Sequence, residues 1–526
     1  MKARSFVAAL VALLGTAAFA SARPGVGAPP QTQCAPGAAM SAAMTPVAYW
    51  STEARCAIVP AGPGRIFGSE NFGNKFPGEA AVYMGIVHVA IYNATVAIEG
   101  GFRPYAMAVT MTSEAKLRAK TGWFAWAGWR LGHGDWRPYG KTNRNVRPRV
   151  PRMIPRSWWA RLAKFLSSAP ADPSPAAAIA AAAHDTLVGL QATLRLDSGG
   201  RAILNDDYTA YLAGIPDGKA KDDGIAIGEE IAKAVLTKRA NDGLEKNPTL
   251  GDLNPPAPGL GVWQPAPAPA PVLGLRLPGV RPLALRSASQ FRPEGPSALT
   301  SREYAEDFNQ VNDLGRFDST TRTAEQTTQA RFWTDHDIRQ WNDGMLSLAA
   351  ARGLDLVQTA RMLAMAHVAG GDAMIACFDA KYHYWFWRPY QAIPQSGSDD
   401  NPATQPDPSW RPLGATPNFP EYPSAHACHS SGVVGALDAF FGTDKVPFTL
   451  DSRVTHTTRM YTQLQGVIKD VDLARVLVGF HFRNSDLQGS NLGRKVGGYV
   501  AKNLFQPLGG RNVLHLARIN VKREQR

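Results

Sequence analysis

The sequence predicts an all-α protein, and three observations carry that prediction. Apolar residues recur at three- and four-residue spacing through five long segments, as on the buried stripe of an amphipathic helix. Alternating strand patterns between turn dipeptides are scarce. A proline-dense stretch at 254–298 separates an earlier group of helical segments from a later one. At 526 residues the chain exceeds what one typical core requires, so one large domain or two packed bundles are both open.

Taken in order, the chain opens with Lys2 and Arg4, an apolar run from Phe6 to Leu14, and Ala20-Ser21-Ala22 before Arg23-Pro24. That is the pattern of an export signal over residues 1–22, cleaved after Ala22. The run is too short for a membrane anchor, and no later stretch offers about eighteen uninterrupted apolar residues. The mature protein is therefore expected outside the cytoplasm, extracellular or periplasmic, without stable membrane insertion. Residues 23–253 form the first helical region. Within it 79–99 places Val82, Ile86, Val87, Ala90, Ile91 and Ala94 on one face, and 175–195 and 224–241 repeat the pattern.

Residues 254–298 run from Pro255-Pro256 through alternating Pro and Ala at 265–271 to Pro296. Such density forbids helix and favours extended chain. Trp263, Leu273, Leu275, Val280 and Leu283 supply apolar anchors that a solvated linker would not need, so an ordered crossover laid over the second helical region is expected. That second region, 299–526, carries helical patterns at 326–352 and 355–379. No repeat of fixed period is present.

The hydrophobic fraction of 44% and charged fraction of 19% are those of a globular protein. The formal charge of +13, or +11 without Lys2 and Arg4, favours anionic ligands. Nucleic acid is not expected, since the basic residues are scattered and form no nucleic-acid-binding motif. The cluster Arg144, Arg147, Arg149, Arg152 and Arg156 reads as a solvated face. The four cysteines allow three pairings. Cys34 with Cys56 is the local choice, and Cys377 with Cys428 are either a bridge or two buried thiols.

Three segments of the last third concentrate anion-binding residues. The first is Lys381-Tyr-His-Tyr-Trp-Phe-Trp-Arg388-Pro389. On a helix the seven-residue spacing puts both cations on one face, and the aromatics between them imply burial, which requires an anion. In the second, Phe419-Pro-Glu-Tyr-Pro423-Ser424-Ala425-His426, Ser424 reads as the N-cap of a helix ending at Gly442. Its free N–H groups and dipole make an anion site, and the positive surroundings keep His426 neutral and able to act as a base. In the third, Arg475 and His481 stand six apart, so a shared ligand requires the helix to end near Gly479. A Lys-x6-Arg-Pro string alone arises by chance in about one chain in fifteen of this length. All three segments in order are far rarer.

Together these residues resemble the signature of the vanadium-dependent haloperoxidases and their relatives in the phosphatidic acid phosphatase type 2 superfamily. Lys381, Arg388 and Pro389 match Lys-x6-Arg-Pro. Pro423, Ser424 and His426 match Pro-Ser-Gly-His, with Ala425 in place of glycine. Arg475 and His481 match Ser-Arg-x5-His, with Ala474 in place of serine. Ser485 stands where many relatives carry aspartate, with Asp486 beside it, which leaves the partner of His481 open.

The resemblance implies two helical bundles, the second holding vanadate on His481. The vanadate oxygens would be bound by Lys381, Arg388, Ser424, the Ala425 N–H and Arg475. His426 would be the acid–base group and Lys381 would polarise peroxide, with hydrogen peroxide, halide and a small organic acceptor as substrates and no haem, flavin or nicotinamide. Phe419, Trp385 and His383 would line the halide approach. Asp318 would be the upstream acid that relatives place on the catalytic histidine. The same residues also suit an exported acid phosphatase acting through a phosphohistidine at His481, or a non-catalytic anion-binding protein. Length, the crossover and the aromatic lining favour the haloperoxidase. The remaining histidines, His88, His133, His184, His336, His367, His429, His456 and His515, read as structural or exposed.

Overall fold

The computed structural model describes residues 44–60, 73–105, 173–267 and 270–508. The signal segment, Cys34, the Arg144–Arg156 cluster, His133 and His515 lie outside the described residues. Among those described, helix dominates, and one two-stranded antiparallel hairpin pairs β1 (Phe448–Ser452) with β2 (Thr457–Tyr461). The all-α expectation holds.

The first group comprises α1 (Pro46–Ile58), α2 (Pro77–Glu99), α3 (Pro175–Gly189), α4 (Gln191–Leu194), α5 (Ser198–Ala213) and α6 (Lys219–Arg239). Thr45, Ser174 and Asp197 cap α1, α3 and α5 through their side chains, satisfying N–H groups that a helix start leaves free. Predicted helix 175–195 is broken at Leu190, which separates α3 from α4. α2 is long and apolar enough to cross a membrane, although no segment after the signal was expected to be; 94% of its apolar window is buried inside the fold. A helix apolar on all sides belongs in the centre of a protein, and α2 packs on α3 and α6 and also on the long helix of the second group.

The second group comprises α7 (Arg302–Leu314), α8 (Ala324–Phe332), α9 (Asp337–Ala351), α10 (Leu356–Tyr384), α11 (Pro389–Gln395), α12 (Ala425–Phe441), α13 (Leu464–Leu477) and α14 (Arg483–Asn503). Capping boxes start α8 at Thr323 and α10 at Asp355. The single helix expected over 326–352 is two, parted at 333–336. There the Trp333 carbonyl accepts from Arg475 and the Asp335 carboxylate is held by Arg339 and Arg453, contacts that a continuous helix could not offer. α10 runs through the middle, packed by α2, α12 and α14. One hydrophobic core is continuous from α1 and α2 into α10, α12 and α14, so the two groups are fused rather than hinged.

The described residues of the proline-rich segment, 254–267 and 270–298, pack against the second helical group. Trp263, Leu273, Val280 and Leu283 are buried as expected, and Leu275 is partly so. With no ladder to join, its backbone is satisfied by side chains and neighbouring loops. The buried Asp372 carboxylate accepts the N–H groups of Leu283, Ala284 and Leu285 at 2.6, 2.7 and 2.8 Å. Trp263 N–H donates to the Trp385 carbonyl, and Leu273 N–H to that of Asn418. The crossover thereby braces the chain on either side of the predicted site.

Candidate oxyanion site

Lys381 lies in the last turn of α10 and is fully buried. The helix stops at Trp385, which is left-handed at φ 53°, and Arg388 is the N-cap of α11. Lysine and arginine therefore do not share a helical face as their spacing suggested; the chain reverses between them, and both still reach one region. Lys381 Nζ donates to the carbonyls of Pro420 and Glu421 at 2.9 and 2.8 Å and lies 4.9 Å from the Phe419 ring centre. An ammonium has three N–H bonds, so one remains. Arg388 Nε donates to the Phe419 carbonyl and Nη1 to the Phe480 carbonyl.

Ser424 is the N-cap of α12 and Gly442, left-handed at φ 67°, is its stop, as predicted. The Ser424 hydroxyl does not cap the helix and completes no hydrogen bond of normal geometry, although the Asp486 carboxyl is near enough to feel it. Behind it, Gly489 of α14 packs against the Ser424 carbonyl, which a Cβ would meet at 2.7 Å. His426, in the first turn of α12, borders a cavity and is partly open to it. Burial first, then Arg475, pull its pKa from 6.5 to about 3, so it is neutral.

α13 carries Arg475 and ends at Leu477. Gly479, at φ 80°, reverses the chain, and a Cβ there would meet the Gly315 carbonyl at 2.5 Å. That break brings Arg475 and His481 together, as their spacing required. Arg475 Nη1 donates to the Trp333 carbonyl at 2.7 Å. His481 Nδ1 lies 2.9 Å from Glu421 Oε1, which also accepts the Phe482 N–H, while Ser485 Oγ donates to Glu421 Oε2 at 2.5 Å. The partner of His481, open in the sequence, is Glu421, with Ser485 supporting it. Burial drives the pKa of His481 well below 6.5, with Arg388 adding to it, so the ring is neutral. The proton sits on Nδ1, toward the carboxylate, and Nε2 presents a lone pair. Arg388 Nη1 is 3.0 Å from that lone pair.

Five buried polar atoms from the three segments have no partner among the described residues, and four of them belong to the candidate site: Arg388 Nη2, Ser424 Oγ, His426 Nε2 and Arg475 Nε, the fifth being Trp387 Nε1. Burial also pulls Lys381 to about 8, and Arg388 and Arg475 each to about 10. Buried Glu421 and Asp486 offset the cost of burying these cations only in part, and a bound anion would lower it further. The chemistry of the set fits a tetrahedral oxyanion: guanidinium N–H groups, an ammonium, a hydroxyl and a helix N-terminus for the oxygens, and an imidazole lone pair for the central atom.

The cavity, of about 490 Å³, opens onto this set. Ala425, His426, Arg475 and His481 line it, with Phe419 and a largely apolar wall that includes Phe76, Met374, Phe378 and Phe480. Of the three aromatic residues expected at the halide approach, Phe419 lines this cavity. Trp385 and His383 do not: Trp385 is buried against Tyr382 and Trp263, and His383 is exposed beside Tyr384. Trp385 turns away where α10 ends in a left-handed residue, and His383, two residues past Lys381, stands about 200° round the helix from it. Asp318 is likewise not the partner of His426; its side chain is 70% exposed and paired with Arg316. The acid beside His426 is Asp337, fully buried at the start of α9 and 3.0 Å from His429 Nδ1. Burial pushes its carboxyl up, but its surroundings, the hydrogen bond to His429 among them, hold it well below the usual range, so it is ionised.

Sequence reasoning missed Glu421 and Asp337. Glu421 lies within the second anion-binding segment, three residues before Ser424, and a carboxylate so placed was a usable signal. Asp337 had none, since it reaches the site only because the helix breaks at 333–336. His336 also lines the cavity, where a structural role had been expected.

The fold and site define a helical protein in which buried cations and histidines from three segments border one cavity. Residues 361–510 match the VCPO second helical-bundle domain. Vanadium chloroperoxidase of Curvularia inaequalis is 36% identical over 92 residues, which are 16% of this chain and only 14% of that protein. Among solved structures, the first bacterial vanadium-dependent iodoperoxidase is similar at a TM-score of 0.58 and 21% identity, over 82% of this chain and 92% of that one. An apo-type bacterial vanadium-dependent chloroperoxidase follows at 0.54 and 13%, over 81% and 94%. The chain shares the helical fold of these vanadium-dependent haloperoxidase structures, and its residues 361–510 match the domain that carries the candidate site.

Proposed function

We propose that the protein is an exported vanadium-dependent haloperoxidase that oxidises halide with hydrogen peroxide for transfer to a small organic acceptor. The observation that carries this reading is the neutral His481, held by Glu421, facing unpartnered buried donors at one end of a cavity with an apolar wall. His481 Nε2 would hold the vanadium. Arg388 Nη2, Arg475 Nε, Ser424 Oγ, the remaining Lys381 N–H and the Ala425 N–H would hold vanadate oxygens. Bound vanadate supplies a Lewis acid that activates peroxide toward halide.

The protein's own groups do the rest. His426, neutral and flanked by ionised Asp337, accepts a proton at Nε2 and returns it. Lys381 and the two arginines neutralise charge that water would otherwise have to solvate. Phe378, Phe419 and Phe480 limit water on the cavity side and offer an apolar surface to the acceptor.

A phosphatase uses the same neutral His481 as nucleophile, which the lone pair on Nε2 permits. It also needs a proton on His426 for the leaving group. The deciding experiment supplies orthovanadate, peroxide and bromide or iodide to the purified protein with an indicator phenol. Halogenation is expected. Its absence, together with vanadate-inhibited hydrolysis of p-nitrophenyl phosphate, overturns the assignment in favour of the phosphatase. Tight anion binding with neither activity would leave an anion-binding protein.

A further inference from the structure

Two sulfurs that the proposed chemistry does not use lie directly behind the site. Cys377 sits on α10 one turn before Lys381, and Cys428 sits on α12 one turn after Ser424 and two residues past His426. Both side chains are fully buried. Their Sγ atoms are 2.7 Å apart. The only other hydrogen-bond partner of either sulfur among the described residues is the Pro423 carbonyl, 3.6 Å from Cys377 Sγ, a weak contact for a weak donor. The two cysteines therefore meet each other far more closely than they meet anything else. Both are free thiols in this structure. Elsewhere the same chain carries a disulfide at Cys56, whose partner lies outside the described residues, so the protein belongs to an environment in which cysteines oxidise.

We propose that Cys377 and Cys428 are joined by a disulfide in the mature protein, a covalent staple between α10 and α12 beneath the oxyanion pocket. The oxidant is a disulfide of low molecular weight or of a dithiol oxidase. One cysteine thiolate attacks it, breaking its S–S bond and releasing one thiol. The second cysteine thiolate then attacks the mixed disulfide, forming the Cys377–Cys428 bond and releasing a second thiol. Two electrons pass to the oxidant, and the two protons lost by the cysteines end on the released thiols.

Burial dictates when this happens. Once folded, Cys428 is sealed from solvent and its thiol is pushed well above its ordinary value, so thiolate is scarce. The bridge must form before α12 closes on α10, and after closure it is shielded from reductants. Its position gives it a consequence at the site. It fixes the spacing between the turn that carries Lys381 and the turn that carries Ser424 and His426. On the haloperoxidase reading it also leaves no thiol beside a cavity where a strong oxidant is made, a benefit that rests on that reading although the bridge itself does not.

The test uses the full chain after export into an oxidising compartment, in material whose Cys56 is bridged. The protein is unfolded in denaturant with iodoacetamide and no reductant, digested and weighed by mass spectrometry. A peptide pair cross-linked through Cys377 and Cys428, with neither residue alkylated, is expected. Alkylation of both overturns the proposal, whatever the outcome of any activity assay. A second measurement compares Cys377→Ser, Cys428→Ser and the double variant by thermal unfolding. A shared bridge predicts that each single variant loses as much Tm as the double. Losses that add would show two independent thiols and would also overturn it.

Discussion

The carboxylate of Glu421 accepts from His481 Nδ1 across 2.9 Å, and this contact decides which ring nitrogen faces the anion pocket. Without it a neutral imidazole could carry its proton on Nε2 and have no lone pair to offer a central atom. Glu421 is itself held by Ser485, by the Phe482 N–H and by the charges of Arg388 and Lys381, which partly offset a burial that pushes its carboxyl up to about 7.

Glu421→Gln keeps the shape and removes the charge. Orthovanadate affinity should fall by about 10- to 100-fold, the usual cost of losing the group behind a metal-binding histidine. Titration of the variant against wild type measures it, and equal affinities would show that Glu421 does not orient His481.

Asp337 acts on His426 rather than on the anion. Asp337→Asn is therefore expected to lower turnover of the vanadate-loaded protein by about 10-fold or more while leaving vanadate affinity within about 3-fold. Steady-state rates set beside a binding titration separate the two effects. A parallel loss of both would place Asp337 among the groups that hold the anion.

The unpartnered N–H groups of Arg388 and Arg475 and the Ser424 hydroxyl predict that anion binding stabilises the fold. Orthovanadate and inorganic phosphate should each raise Tm, by an amount corresponding to about 2.7 kcal/mol at 100 times the dissociation constant. Ser424→Ala should shrink that rise, and Arg475→Ala should shrink it more because a buried charge is lost as well. Differential scanning calorimetry at several anion concentrations tests it; a Tm independent of anion would empty the site of its proposed ligand.

Far from the pocket, Glu53 on α1 is buried, and its pKa is raised from 4.5 to about 8 by burial first and Asp207 second. Between those values the folded protein holds a proton that the unfolded chain releases, so this group's contribution to stability is lost as pH rises through about 8. Glu53→Gln removes the dependence. The Tm of the variant minus that of wild type should therefore grow between pH 5 and pH 8. A difference that is flat or falls over that range would show Glu53 ionised in the folded state.

Several features were legible in the residues alone. Helical periodicity at 79–99 and 355–379 became α2 and α10 because an apolar stripe has one way to be buried. Ser424 and Gly442 bounded α12 because caps act within one turn, and the anchors of 254–298 told an ordered crossover from a free linker. The need for a break at Gly479 followed from the geometry of a helix, in which residues six apart cannot share a face. The oxyanion site itself could be read because its six named residues lie in three short segments.

Tertiary structure decided what depends on where chains turn and cross. The left-handed Trp385 separates Lys381 from Arg388 and turns its own ring away from the cavity, a conformation that no spacing in the sequence announces. The break at 333–336 delivers Asp337 to His429, one turn beyond His426, while Asp318 stays at the surface. Glu421 meets His481 across 60 residues, and Cys377 meets Cys428 across 51. Spacing along a chain constrains neighbours within a turn or two. Which carboxylate faces which histidine, and which sulfur faces which, is set by the packing of α9, α10, α12 and α13 around one core.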